Sequence, residues 1–286
     1  MQDKKAQFLP ACLIIASLFL SAHTVSAREW RELKGDHFII YFEQKQNFAS
    51  KVLRKAEANY ERIASDLGYA RYSNFWTWSN RVKIYIYPDQ KSYVTHTGQP
   101  EWSYGMADYD KKEILGCSGS QDFLNSILPH EIAHLIFRDF VGFKGEVPLW
   151  LDEGVAQWEE EVSRDRIKKA IRDCLQRRAL LSLSDIMDMD IRLIKDTDRI
   201  HLRTTRIEGK HSFIIIDGEN LIHLFYLQSA SLVGFLIERY GSDKFTNFCR
   251  ELRDGKRLEE ALCSAYTTRL CSIEELEDKW IEYLKE

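Results

Sequence analysis

The sequence predicts an α+β fold in which a small mixed sheet is followed by a mainly helical part. His37–Phe42 combines aromatic and β-branched side chains, and Arg81–Tyr87 alternates polar and apolar side chains before Pro88, so each segment predicts a strand. Between them, Phe48–Leu67 carries apolar residues at helical spacing and ends at Gly68. A strand, a helix and a strand in this order favour α+β over an all-helical fold.

Two later segments add to the predicted sheet. Ser103–Tyr109 and Glu113–Leu115 predict a hairpin around Asp110–Lys112. Such an edge can bind an extended peptide as an added strand. Residues 190–220 are rich in charges, and we expect an exposed loop there with a strand at Ser212–Gly218.

The remaining segments are predicted to be helical. Residues 121–178 should hold two helices joined by a loop, and the C-terminal part should hold four more. These four are predicted at Leu221–Tyr240, Asp243–Arg253, Leu258–Tyr266 and Ile273–Lys285. With no internal repeat, we expect residues 28–286 to form a single domain whose sheet-containing part ends at about residue 117.

Charge and composition exclude some classes of function. The formal net charge of −4 is small for 286 residues and no long basic stripe is present, so a nucleic-acid partner is not expected. The charged run Arg164–Lys169 is typical of a solvated helix face. A hydrophobic content of 44% indicates a folded chain with a sizeable core.

The N-terminus has the pattern of a secretory signal peptide, predicted as residues 1–27. Lys4 and Lys5 precede an apolar run at 11–20, and small residues before Arg28 suggest cleavage after Ala27. We therefore expect a periplasmic, secreted or cell-envelope protein. We expect no second stretch long enough to span a membrane, so a span is expected only if the signal is retained as an anchor.

Cysteine usage fits that compartment. Removing Cys12 with the signal leaves five cysteines, an odd number, so at least one thiol stays unpaired within a monomer. Cys249, Cys263 and Cys271 lie close in sequence, and one disulfide among them is expected. The oligomeric state is left open.

A metal-site motif lies in the predicted helices of residues 121–178. His130 and His134 are four residues apart, so on a helix both imidazoles project from one face and can reach a single Zn²⁺. Glu131 points about 100° round the helix and can hold a water. Glu153, nineteen residues beyond His134, offers the third ligand from a helix that starts after Pro148.

The alternative is two ordinary amphipathic helices with solvated His and Glu side chains. The start of the first helix is also open. Ser126 can cap it, with Pro129 in the first turn, or the helix begins at Gln121 and Pro129 kinks it.

The motifs around these residues resemble those of the gluzincin zinc metallopeptidases, in the peptidase MA-like family related to thermolysin and the zinc aminopeptidases. The resemblance rests on Leu128–His134, on Trp150–Gly154 and on the stretch from Tyr226 to Gly241. It implies a zincin-like catalytic domain with Zn²⁺ as cofactor.

The resemblance also implies a role for each site residue. His130, His134 and Glu153 would be the zinc ligands, and Glu131 the general base and proton shuttle. Tyr226 would donate a hydrogen bond to the developing oxyanion, with a core-packed tyrosine as the alternative. His223, one turn earlier, is the substitute donor, although a structural role is expected for it.

The chain departs from the family pattern at two places. The aminopeptidases carry a glutamate on the edge strand that binds the substrate amine, whereas Tyr104–Asp108 contains none, so aminopeptidase specificity is unsupported. Many relatives have Asn before the third ligand, where this chain has Asp152. We expect Asp152 to be solvated, with a hydrogen bond to a ligating imidazole as the alternative.

The expected function is that of a secreted or envelope zinc-dependent peptidase acting on a peptide or protein. A non-catalytic peptide-binding module on the same scaffold and a zinc amidase acting on cell-wall material are the alternatives. Sequence does not separate them, because substrate choice depends on loop geometry.

Overall fold

A five-stranded sheet is built from the N-terminal part of the chain in the computed structural model, which describes residues 29–69, 76–101, 103–142, 147–206, 209–266 and 270–286. Its strands are β1 Arg31–Lys34, β2 Phe38–Phe42, β3 Val82–Tyr87, β4 Gly105–Asp108 and β5 Glu113–Cys117. Their order is β1-β2-β3-β5-β4. The central pairs β2–β3 and β3–β5 are parallel, while β1–β2 and β4–β5 are antiparallel. The sheet is therefore mixed, as predicted.

Two helices connect these strands. α1 Gln46–Asp66 follows β2 and buries Ala49, Val52, Ala56 and Tyr60 at helical spacing. The shorter α2 Gln90–Thr97 follows β3 and is capped by Asp89, whose carboxylate accepts from the backbone N–H of Ser92.

The remainder of the chain is mainly helical, which confirms the predicted α+β class. Its elements are α3 Leu128–Val141, α4 Leu149–Trp158, α5 Arg164–Gln176, α6 Leu183–Met187, β6 Arg199–Arg203, β7 Phe213–Asp217, α7 Gly218–Tyr240, α8 Ser242–Arg253, α9 Leu258–Tyr266 and α10 Ile273–Lys285. β6 and β7 form an antiparallel hairpin, so the strand expected near residue 213 is present. The loop expected before it contains β6, which was not predicted.

The close packing of α4 on α7 positions the site. A Cβ on Gly154 would lie 2.7 Å from the backbone oxygen of Ser229 on α7. Glycine therefore lets the two helices approach to backbone contact. This approach brings Glu153, the residue before Gly154, up to the helix that carries Tyr226.

Helix α7 is also the only described helix that meets the length and composition criteria for a membrane span. Its 23 residues have a mean hydropathy of 1.4 over the most apolar window, and 67% of that window is buried in the protein. The sequence predicts no second stretch long enough to span a membrane. Judged by length and composition alone, that expectation is wrong. The high buried share is what a core helix of this kind shows.

The predicted disulfide joins Cys263 and Cys271. Among the described residues, Cys117 and Cys249 are buried free thiols and Cys174 is a half-buried one. The predicted signal peptide, residues 1–27, lies outside the described residues.

Candidate metal centre

Helices α3 and α4 bring the three predicted ligands together. The Nε2 atoms of His130 and His134 lie 3.2 Å apart. The Oε2 atom of Glu153 lies 3.7 Å from Nε2 of His130 and 3.6 Å from Nε2 of His134. All three ligand atoms fall within 4.8 Å of one another, so a single ion can contact the whole set.

The helix that carries the histidines starts earlier than α3 itself. Helical structure begins at Gln121, and a wide π-type turn at Phe123–Ile127 leads into α3. In this turn the N–H of Leu128 donates to the carbonyl of Phe123, five residues back. The wider turn lets the helix continue through Pro129.

Ser126 therefore does not cap the helix, and that expectation is wrong. Ser126 lies inside the helix, and its hydroxyl donates to the carboxylate of Glu160, just beyond the end of α4. Ser126 thus links the two metal helices.

His134 is held by a buried carboxylate. Its Nδ1 lies 2.9 Å from Oδ1 of Asp152, and the other oxygen of Asp152 accepts from Nη2 of Arg138 at 2.5 Å. Asp152 is only 2% exposed, so the expectation that it is solvated is wrong. Its position in the first turn of α4, packed against α3, turns its side chain towards the ring.

His130 is held by a second carboxylate, which the sequence reasoning missed. Its Nδ1 lies 3.0 Å from Oε1 of Glu160, and the same oxygen accepts from Nε2 of Gln157 at 2.8 Å. Glu160 lies two residues beyond the end of α4, and there the chain places its carboxylate against His130.

This arrangement fits a divalent metal ion. Each Nδ1 has a carboxylate partner to which it donates, which leaves the lone pairs of both Nε2 atoms directed at the space beside Glu153. Two nitrogen lone pairs and a carboxylate at these distances repel one another unless a proton or a metal cation lies among them. Two imidazoles, one carboxylate and no thiolate form a donor set that suits Zn²⁺ with one position open.

The electrostatics of His134 agree with a cation site. Burial alone would lower the pKa of this ring, but the carboxylates of Asp152 and Glu153 outweigh burial and raise its pKa to about 10. The pocket thus favours positive charge.

Glu131 lies between the histidines and the edge strand β4. Burial raises the pKa of its carboxyl group, against the lowering effect of His130 and His134, and the backbone N–H of Ala107 on β4 donates to it. β4 pairs with β5 on its other side, so this N–H points away from the sheet. The predicted hairpin therefore lies beside the site.

Tyr226 lies on α7, half-buried, near the same carboxylates. Burial, followed by the charges of Glu153 and Glu131, raises the pKa of its phenol to about 12. The phenol therefore keeps its proton and can donate it in a hydrogen bond. Its ring also packs against the core, as the alternative expected. His223 is exposed on α7, so it does not pack in the core.

The edge strand β4, the His-Glu-x-x-His helix and the glutamate of the next helix together form a possible His/Glu metal site. The model of the Peptidase MA superfamily matches residues 211–286, and this match confirms the predicted resemblance to the peptidase MA-like family. The matched segment covers β7 and α7 to α10, including Tyr226. It does not reach His130, His134 or Glu153. A comparison with curated proteins finds no match.

Proposed function

We propose that this chain is a zinc-dependent peptidase of the gluzincin type that hydrolyses peptide bonds by activated water outside the cytoplasm. The observation that carries the proposal is the convergence of His130, His134 and Glu153 within 4.8 Å, with Glu131 alongside. The signal-like N-terminus supports the location.

Each residue has a physical role in this proposal. His130, His134 and Glu153 hold the ion, and Asp152 and Glu160 fix the two rings through their Nδ1 atoms. When bound, Zn²⁺ polarises the scissile carbonyl and lowers the pKa of water.

The other residues handle the substrate and the proton. Glu131 takes a proton from the attacking water and passes it to the leaving amine. Tyr226 donates a hydrogen bond to the oxygen on which negative charge develops. The substrate binds in extended form along β4, whose edge can pair with a peptide backbone.

The proposal is tested by metal analysis together with the Glu131→Gln variant. Zinc should bind to the purified protein at one ion per chain, and cleavage of a mixed peptide library, read by mass spectrometry, should be lost in Glu131→Gln with zinc retained. The matched control is Glu61→Gln, which removes the same charge from an exposed position on α1 and should cleave normally. His130→Ala and His134→Ala should lose zinc.

Other outcomes would contradict the proposal. Wild-type cleavage rates in Glu131→Gln would refute its role as base. Stoichiometric zinc with no cleavage of any peptide would favour a binding module, and cleavage restricted to cell-wall amides would favour the amidase.

Tyr226 gives a second prediction. Because the phenol acts on charge that develops only during the reaction, Tyr226→Phe should lower kcat by roughly 100-fold while zinc content and KM change little. Steady-state kinetics on a cleaved peptide measures this. The control Tyr283→Phe removes a hydroxyl that bonds Glu238 on the surface and should keep full activity. Equal kcat in both variants would leave Tyr226 as a core residue.

A further inference from the structure

A second concave surface lies outside the metal centre, between α1 and the turn that leads into α3. It is a groove of about 480 Å³. One wall is formed by α1 and the other by the start of the helix at Gln121. The lining residues are Lys51, Arg54, Lys55, Ala58, Gln121, Leu124 and Asn125.

The α1 wall concentrates positive charge. Lys51, Arg54 and Lys55 are exposed, and Arg54 and Lys55 follow Lys51 by three and four residues, so both lie beside it on the helix surface. Among the described residues, none forms an ion pair or a hydrogen bond with the side chain of any of the three. By contrast Arg62, two turns further along α1, is paired with Glu159. Like charges at this spacing repel one another, and a bound anion would offset that repulsion.

Among the described residues that line the groove, none has an acidic side chain to neutralise this charge. The acids closest in sequence are Glu57, Glu61 and Asp122. Glu57 faces the other way, because its carboxylate accepts from the backbone N–H and from Nδ1 of His37. The remaining two do not contribute to the lining. In a chain with a formal net charge of −4, the groove is a local positive site.

The opposite wall adds neutral hydrogen-bonding groups. Gln121 and Asn125 are four residues apart and exposed, so both amides face the groove, and buried Leu124 forms an apolar floor between them. A planar guanidinium and two ammonium groups suit the oxygens of a phosphate, while amides suit ester oxygens and hydroxyls. The volume lies in the usual range for small-molecule sites.

We propose that this groove binds a phosphate ester, such as the headgroup of an anionic phospholipid or a free phosphorylated sugar or polyol. The three cations contact the phosphate, and Gln121 and Asn125 contact the adjoining hydroxyls. The site is separate from the metal centre and does not depend on the proposed peptidase activity.

The test is binding of the full chain to two phosphate probes at about 0.15 M ionic strength, where weak surface charge effects are screened. One probe is glycerol 3-phosphate, measured by calorimetry. The other is a vesicle of phosphatidylglycerol in phosphatidylcholine, measured by cosedimentation against phosphatidylcholine alone. The groove variant is Lys51→Gln/Arg54→Gln/Lys55→Gln. The matched control, Lys169→Gln/Arg172→Gln/Arg177→Gln, removes the same charge from exposed positions on α5 and at its C-cap.

We expect at least one probe to bind the wild type, the groove variant to bind at least 10-fold more weakly, and the α5 variant to stay within 2-fold. Binding of vesicles alone assigns the ligand to a membrane headgroup, and binding of glycerol 3-phosphate assigns it to a soluble ester. The proposal is overturned if neither probe binds, if both triple variants lose affinity equally, or if a polyglutamate peptide competes as well as phosphate. Circular dichroism of both variants verifies that they fold.

Discussion

The two histidines of the metal centre are held in different ways. The carboxylate that holds His134 belongs to Asp152, which is itself paired with the cation Arg138 at 2.5 Å. The carboxylate that holds His130 belongs to Glu160, whose other partners are neutral. The His134 side chain is 3% exposed and that of His130 is 19% exposed. The side of His134 is therefore dry, and the charge of its carboxylate is balanced by Arg138. The side of His130 is wetter, and its carboxylate accepts hydrogen bonds from neutral donors.

The largest effect is expected on the dry side, from Asp152→Ala. This change leaves Nδ1 of His134 without a partner in a buried position and removes the ion pair of Arg138. Zinc affinity should fall by roughly 100-fold, and the zinc-free protein should lose about 3 kcal/mol of unfolding free energy. Chelator competition and urea unfolding measure the two quantities.

Asp152→Asn is the matched comparison, because its amide oxygen can still accept from the ring. It should keep most of the zinc affinity and lose part of the stability. If Asp152→Ala bound zinc as tightly as wild type, the hydrogen bond from His134 to Asp152 would play no part in holding the ion.

A smaller effect is expected on the wetter side, from Glu160→Ala. Water can reach His130 and replace the lost acceptor, so zinc affinity should fall by about 10-fold. The same chelator competition measures it, with Glu61→Gln as the charge-matched control. A loss larger than that of Asp152→Ala would reverse the comparison between the two sides.

The metal centre could be predicted where its members share a single helix face. His130, Glu131 and His134 follow from the period of one helix, and Glu153 from a recognisable motif on the next. The burial of Asp152 could not be predicted, because it depends on how α4 packs on α3. The role of Glu160 could not be predicted either, because α4 ends at Trp158 and the adjacent Glu159 has the same chemistry.

In the sheet, too, strands with a local sequence pattern were predicted, and a strand that depends on tertiary pairing was missed. β2 and β3 were predicted because one face of each is buried, which produces the aromatic and alternating patterns. β1 was missed because its residues Arg31–Lys34 are mostly exposed and carry no such pattern. It is a strand because β2 offers it a partner edge, which is a tertiary cause. The wide turn at Phe123–Ile127 was likewise not predicted. It accommodates Pro129 within the helix, and no sequence motif marks it.

The smallest effect on zinc affinity is expected from a change at Glu159, the residue before Glu160. Glu159 is fully buried and pairs with Arg62 at 2.5 Å and Arg164 at 2.9 Å, so it joins α4 to α1 and α5 and does not face the histidines. Burial nevertheless raises the pKa of its carboxyl group from 4.5 to about 7, against the lowering effect of Arg164 and Arg62. Glu159→Gln should therefore change the pH dependence of stability and leave zinc affinity within about 2-fold.

The sign follows from proton binding. Between pH 4.5 and about 7 the folded protein binds a proton at Glu159 that the unfolded chain has released, so the free energy of unfolding falls as pH rises through this window. Glutamine cannot titrate, and the variant lacks this fall. From pH 5 to pH 8, the stability of Glu159→Gln should rise relative to wild type by on the order of 2 kcal/mol. Urea unfolding of both zinc-free proteins at the two pH values measures the difference. Parallel pH profiles would mean that Arg62 and Arg164 keep Glu159 charged throughout. Glu159 would then be, like Asp152, a buried carboxylate whose charge is balanced by its partners.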